Sequence, residues 1–306
     1  MVHAISSGSY GTVYSYASES PLPPNWIIKA SRKNRYYYNT VTNKDTTIRP
    51  RIPGDNYIAV AVKVFKDPND DEIKIIRQLN GITDYKCDTV RSRIIGLSGW
   101  GWSSREFPVV LMEIMDGDLG NLLKKEEYHD REGGKNKLKI HYIIPIMLQL
   151  ATILKCLLDL NYIYEDLKAE NILFKRDNEG RIHIVLGDLG SICKRGDSNA
   201  CTWNPWEYRN ELGFPKCNES TMVWCLGIVI CELLDVSTDM FHWSEISKKD
   251  KEDIERQIDM ISLYKGLHKV YVDKKKKKTC EKLLKDMLNL DPKKRISLNT
   301  IIQSIQ

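Results

Sequence analysis

The sequence predicts an α+β chain, one domain over 1–306 built as a small, mainly β lobe (1–115) and a larger, mainly α lobe (116–306). Three observations carry this. β-branched and aromatic residues crowd the first third in short apolar or alternating runs, the pattern of strands. From about Gly117 onward the apolar residues fall into long stretches, Ile140 to Leu160 and Thr221 to Leu234, that read as buried helices. A chain of 306 residues is long enough for two lobes sharing a cleft.

The elements follow in order. Gly8-Ser9-Tyr10-Gly11-Thr12-Val13-Tyr14 is a glycine turn running into alternating β-branched and aromatic residues. Pro21 to Pro24 break the chain, and a polar, tyrosine-rich stretch ending in Arg49-Pro50-Arg51-Ile52-Pro53-Gly54 reads as an insertion over about 21–56. Tyr57 to Phe65 is a near-continuous apolar run with Lys63 near its end, as expected of a central strand. Asp70-Asp71-Glu72 precede Ile73, Ile75, Ile76 and Leu79, a short helix with acidic residues at its positive end. Val109 to Glu113 is a further strand. The run Lys274 to Lys278 is expected to be a solvated loop between C-terminal helices.

Bulk properties exclude several classes. A net charge of +5 suits anionic ligands but is too small to argue for nucleic acid, and none is expected as a partner. Eight cysteines are scattered without a Cys-x-x-Cys pair, which fits neither a zinc framework nor a secreted disulfide scaffold. Reduced, mostly buried thiols in a cytoplasmic or nuclear setting are expected. Met1 to Tyr10 shows no secretory signal, and the apolar stretch Tyr142 to Ile163 is broken by Pro145, Gln149, Lys155 and Asp159. It is read as a buried helix with one polar face, so no membrane association is expected. Nothing in the sequence speaks to oligomeric state.

The chemistry-bearing residues occur in the order that phosphoryl transfer needs: phosphates cradled, a divalent cation held, an attacking hydroxyl oriented. Tyr164-Glu165-Asp166-Leu167-Lys168-Ala169-Glu170-Asn171 is the strongest signal, flanked by an apolar helix before and Ile172-Leu173-Phe174 after. It resembles the catalytic loop H-R-D-L-K-x-x-N of protein kinases. The resemblance implies that Asp166 orients the substrate hydroxyl, Lys168 neutralises the γ-phosphate and Asn171 holds one of two Mg2+ ions. Seventeen residues on, Asp188-Leu189-Gly190 resembles the Asp-Phe-Gly magnesium motif, with Asp188 as the second metal ligand.

The same resemblance extends from Ser6 to Arg295. Ser6-Ser7-Gly8-Ser9-Tyr10-Gly11-Thr12-Val13 resembles the glycine-rich loop over ATP, with Ser6 in place of its first glycine. Ala61-Val62-Lys63 resembles the strand whose lysine holds the α- and β-phosphates, Ala61 roofing the adenine, and Glu72 resembles the lysine's helix partner. Lys29 in Trp26-Ile27-Ile28-Lys29 is a rival at the more usual distance from Gly11. Lys63 is preferred for its better strand and for the small Ala61. Met112, Glu113, Met115 and Asp118 resemble the hinge: Met112 as gatekeeper, the backbone of Glu113 and Met115 on the base, Asp118 toward the ribose. The resemblance also places Leu173 among the ATP-binding residues. Pro205-Trp206-Glu207 and Asp291 to Arg295 resemble the large-lobe segments whose glutamate and arginine pair, implying a Glu207–Arg295 ion pair.

Tyr164, Glu165 and Met222 replace the usual His, Arg and Asp, and the segment from Asp188 to Glu207 is short at nineteen steps. A glutamate at 165 would repel the activation-segment phosphate an arginine normally receives. The expectation is a serine/threonine kinase that acts on protein hydroxyls without that phosphorylation, with Ser191, Ser198 and Thr202 as the hydroxyls that would test it. Alternatives are a pseudokinase scaffold regulating a partner and a kinase-like small-molecule phosphotransferase. No accessory domain is expected; composition resembles kinases of large DNA viruses, in a host cell, or a divergent protist.

Overall fold

The computed structural model describes residues 2–7, 11–17, 25–30, 35–46, 59–67, 71–80, 97–102, 108–122, 129–130, 137–138, 140–203, 205–206, 216–234, 251–261 and 274–306. The chain divides into two compact units, Met1–Asp70 with Gly96–Asp116, and Asp71–Ile95 with Gly117–Gln306.

In the first unit the strands are β1 (Val2–Ser7), β2 (Gly11–Ala17), β3 (Trp26–Ala30), β4 (Arg35–Asn39), β5 (Asp45–Thr46), β6 (Ala59–Phe65), β7 (Leu97–Trp102) and β8 (Pro108–Glu113). One antiparallel sheet runs in the order β1-β2-β6-β8-β7, so β6 is its middle strand. That position explains the apolar run from Ala59 to Phe65, since a central strand has a neighbour on each edge and packs its side chains on both faces. Strands β3, β4 and β5 form a second sheet. The stretch expected to be an irregular insertion therefore carries strands of its own where described. Its turn is set locally: the Asn39 side chain accepts from the Val41 and Thr42 amides, and Asn43 takes φ 56°, a left-handed conformation asparagine tolerates.

The second unit begins with α1 (Asp71–Asn80), whose Ile73, Ile76 and Leu79 are buried. This helix was expected in the small lobe. It groups with the larger unit because it packs on the 3-10 turn Leu189–Ser191 and because Tyr162 donates to Gln78 Oε1 at 3.2 Å. There follow β9 (Gly117–Asp118), α2 (Leu119–Leu122), β10 (His129–Asp130), β11 (Lys137–Leu138) and α3 (Ile140–Asp159). Then come β12 (Tyr162–Tyr164), β13 (Ile172–Arg176), β14 (Ile182–Leu186), β15 (Ile192–Lys194), α4 (Glu219–Leu233), α5 (Lys251–Ile261), α6 (Lys274–Met287) and α7 (Leu298–Ile305).

Helix α3 is the spine of this unit. Ile143, Ile146, Met147, Leu150, Ile153, Leu154 and Leu157 are wholly buried, packed toward α4, α7 and β14. It is apolar and long enough to cross a membrane, and that apolarity is accounted for by the core it fills. Asn161, at φ 65°, ends it in a left-handed cap. Helix α4 starts from a reciprocal cap, Asn218 accepting from the Thr221 amide while Thr221 Oγ1 accepts from the Asn218 amide.

Two expectations are corrected. Lys274 to Lys278 open α6 and are not a loop, because Leu283, Leu284 and Met287 repeat at helical spacing and bury that helix. The cysteines are not all reduced: Cys201 and Cys217 form a disulfide with Cα atoms 5.0 Å apart, and Cys156 is also disulfide-bonded. The Cys217 amide donates to Asn199 O at 2.6 Å, which draws the first pair of segments together. Cys225, Cys231 and Cys280 are buried free thiols, as expected.

Leu150→Ala is expected to cost about 2–5 kcal/mol through lost burial and the cavity left behind. Urea unfolding of the two proteins measures it; equal midpoints would show that α3 does not form the core.

Candidate active site

In the first unit the candidates lie on the five-stranded sheet. The register sets Val13 opposite Lys63, and Ala61 opposite Met112. Directly opposed residues share a face, and so do residues two apart on one strand, so Val13, Ala61, Lys63 and Met112 line a single surface. Glu113 lies one residue on, opposite Val60, and points its side chain the other way. Met115 follows in the irregular stretch before Gly117. Ser6 pairs with Val13 and Gly11 with Phe65, so both bracket the turn of the hairpin. Gly8 lies outside the described residues. Lys29 is on the other sheet, with its ammonium 3.4 Å from the centre of the Tyr38 ring.

In the second unit the catalytic-loop candidates form one hydrogen-bonded cluster. Lys168 Nζ donates to Asp166 Oδ2 at 2.6 Å, and Asn171 Nδ2 donates to the same oxygen at 2.7 Å and to Asp166 O at 2.9 Å. Thr202 Oγ1 donates to the other carboxylate oxygen, Oδ1. Burial would raise the Asp166 pKa, but these donors and the Lys168 charge outweigh it and hold it below the ordinary value. Asp166 is therefore a carboxylate at neutral pH, with acceptor capacity aimed at a hydroxyl.

Asp188 is brought to this cluster by the β13–β14 hairpin, which pairs Ile172 with Leu186. One residue beyond, the Gly187 amide donates to Asn171 O at 2.7 Å. A Cβ on Gly187 would stand 3.1 Å from that oxygen and 3.4 Å from Leu173 Cγ, a tight fit. Asp188 itself takes φ 45°, ψ 68°, a left-handed conformation that non-glycine residues hold only under constraint. Ser191 Oγ donates to its Oδ2 at 3.1 Å. Asn171 and Asp188 offer hard oxygen donors of the kind Mg2+ takes, so their chemistry fits the expected metal. Glu72 is 2% exposed, and a Cβ on Gly190 would lie 3.7 Å from its Oε2, so α1 packs its acidic residue against this turn.

Asp118 and Leu173 sit opposite each other in the β9–β13 ladder. Asp118 accepts from the Asn121 amide at 2.7 Å and from Asn121 Nδ2 at 2.5 Å, which caps α2. Arg295 is 7% exposed, bonds Asn289 O and Ser220, and stacks 5.1 Å from the Trp224 ring. Glu207, its expected partner, lies outside the described residues.

The three substituted positions are each accounted for. Tyr164, fully buried, donates its hydroxyl to Gly187 O at 2.7 Å, and so ties the catalytic loop to the strand leading to Asp188. Burial first, then the Asp188, Asp166 and Glu72 carboxylates, push its pKa far up, so it stays a donor. Glu165 accepts from the Asn199 amide, from Asn199 Nδ2 at 3.4 Å, and from Cys193 Sγ at 3.2 Å. Burial and this carboxylate push the Cys193 thiol up to about 12, which keeps it protonated. Met222 is buried without a polar partner's chemistry; beside it, Cys217 Sγ lies 3.9 Å from Tyr164 O.

Thr202, named from the sequence only as a hydroxyl of the activation segment, is joined to the catalytic loop. Its amide donates to Glu165 O at 2.9 Å, beside its hydroxyl contact with Asp166. Ser198, offered as a phosphorylation test site, is 3% exposed and donates to Cys217 O at 2.8 Å.

The cluster joins the residues of the loop that resembles the protein-kinase catalytic loop, and the comparisons with known proteins show the family. The protein kinase domain family matches residues 52–305, and the chain belongs to that family. The match begins just before β6 and so contains Lys63 but not Lys29. Homeodomain-interacting protein kinase 2 of Mesocricetus auratus is 30% identical over 128 residues, 40% of this chain and 10% of that protein. Homeodomain-interacting protein kinase 1 of Mus musculus is 27% identical over 184 residues, 57% of this chain and 14% of that protein. Serine/threonine-protein kinase 1 of Heliothis zea nuclear polyhedrosis virus is 29% identical over 163 residues, 53% of this chain and 54% of that protein. The chain thus spans about a tenth of the first relative's length and about half of the viral one's.

Tyr164→Phe is expected to cost about 1–3 kcal/mol, because it leaves the buried Gly187 carbonyl without the hydroxyl it accepts from. Chemical denaturation measures the loss; an unchanged midpoint would mean the bond contributes nothing.

Proposed function

We propose that this protein transfers the γ-phosphate of ATP to serine or threonine hydroxyls of protein substrates, and does so without a phosphate on its activation segment. The observation that carries the reading is Asp166 held between Lys168 and Thr202, one on each carboxylate oxygen. In that frame Asp166 accepts the proton of the substrate hydroxyl as it attacks, and Lys168 carries charge to the γ-phosphate. Asn171 and Asp188 hold the divalent cations, for which two Mg2+ are proposed. When bound, Mg2+ supplies positive charge that neutralises the phosphates. Val13, Ala61 and Met112 form the apolar lining for the base, Lys63 takes the α- and β-phosphates, and Glu72 is its proposed partner.

Serine/threonine specificity is supported by Lys168, by the Thr202 contact and by the name of the viral relative. Independence from segment phosphorylation is supported by Glu165, whose carboxylate occupies the place of an anion receptor, and by Ser198, whose hydroxyl is buried. An intracellular, cytoplasmic or nuclear site of action is part of the proposal.

Magnesium-ATP with serine/threonine and tyrosine peptides tests the reading. Asp166→Asn is expected to lower kcat on the order of 10²–10⁴-fold; wild type no faster than this variant would leave a binding scaffold as the function. Lys63→Met is expected to abolish transfer while Lys29→Met preserves it, since Lys29 belongs to the other sheet. The reverse result would reassign the phosphate-binding lysine.

A further inference from the structure

Glu165 of the catalytic loop bonds the activation segment at several points. It uses every polar group it has to do so. Its amide donates to Ser191 O at 2.9 Å, just after the Asp188 turn. Its carbonyl accepts from the Thr202 amide at 2.9 Å and from Thr202 Oγ1 at 3.3 Å. Its carboxylate accepts from the Asn199 amide, Asn199 Nδ2 and Cys193 Sγ. The side-chain bonds are the informative ones, because the backbone bonds would form with any residue at 165.

Only Ala200 and Cys201 separate Asn199 from Thr202, and Cys201 is tied to Cys217 just before α4. Fixing the Asn199 amide therefore leaves the chain little freedom before Thr202, whose hydroxyl sits on Asp166. A charged acceptor for a backbone amide is stronger than a neutral one. An arginine at this position has donors only and could not accept from an amide. The substitution thus exchanges an arrangement that requires an added anion for one in which the anion is built into the catalytic loop.

We infer that Glu165 is a positioning residue that, by binding the Asn199 amide, fixes Thr202 on Asp166 and thereby sets the geometry of the protein-substrate site. This rests on the proposed kinase activity and names the residue responsible for its independence from phosphorylation. The inference concerns the acceptor site, so ATP binding lies outside its reach.

The test uses the full chain, treated with phosphatase and checked by mass spectrometry for an unmodified activation segment. Glu165→Ala is expected to lower kcat on the order of ten- to a hundredfold and to raise the peptide KM, with the ATP KM unchanged. Glu165→Gln, whose amide oxygen can still accept from Asn199, should recover most of the loss. Asn199→Ala, which keeps the backbone N–H, should stay close to wild type. Hydrogen exchange at the Asn199 and Thr202 amides gives a second readout that does not depend on turnover: both should exchange faster in Glu165→Ala while α3 amides do not. Wild-type kcat and peptide KM in a folded Glu165→Ala would overturn the inference while leaving the kinase reading intact. So would a variant in which the ATP and peptide KM values rise together. An inert phosphatase-treated wild type that regains activity on segment phosphorylation would overturn it as well, whereas wild type matching Asp166→Asn under all conditions would remove the underlying reading.

Discussion

The amide of Gly187 reaches the carbonyl of Asn171 at 2.7 Å, and the chain on either side of that bond carries the groups that matter. Asn171 ends the catalytic loop and Gly187 precedes Asp188, so the bond extends the β13–β14 ladder by one rung into the site. Glycine suits this place, because a Cβ would stand 3.1 Å from the Asn171 carbonyl oxygen. The Tyr164 hydroxyl then caps the Gly187 carbonyl from the buried side. Two hydrogen bonds on one residue thus tie the turn bearing Asp188 to the loop bearing Asp166 and Asn171. Burial in the interior of the second unit makes each bond expensive to break.

Around that peptide the protein replaces a polar framework with a different one. Met222 cannot bond backbone amides, and the start of α4 is instead anchored by its Asn218–Thr221 cap and by the Cys201–Cys217 pair. These supports converge on the short stretch from Ser198 to Trp203. Electrostatics favour the result: Asp166 is surrounded by donors, so its ionised form is retained despite partial burial.

Much of this was legible in the sequence. The spacing of Asp166, Lys168 and Asn171 is local, and so is the apolar strand running into Asp188-Leu189-Gly190. The structure brings the first three into one hydrogen-bonded cluster. The preference for Lys63 over Lys29 rested on strand quality, and the β6 position in the middle of the sheet agrees with it. What stayed hidden depends on contacts distant in sequence. The bond from Asn199 to Glu165 joins residues 34 apart, and the one from Thr202 to Asp166 joins residues 36 apart. No periodicity encodes such pairs. Charge repulsion at Glu165 was readable, but the group it attracts was not. The lysine run at 274–278 misled because charge was weighed above the Leu283, Leu284 and Met287 spacing that builds α6.

Strands β2 and β6 are neighbours in the sheet but not in the chain. Their ladder closes with Ala17 opposite Ala59, so the excursion between them leaves and returns at one rung. Because the entropy of closing a loop grows only with the logarithm of its length, residues added or removed there change the closure free energy little. The pairing of Val13 with Lys63 is set by the ladder itself and is insulated from such changes. This joint lets the excursion, with its own small sheet, diverge in length and surface chemistry while the strand that presents Lys63 keeps its register.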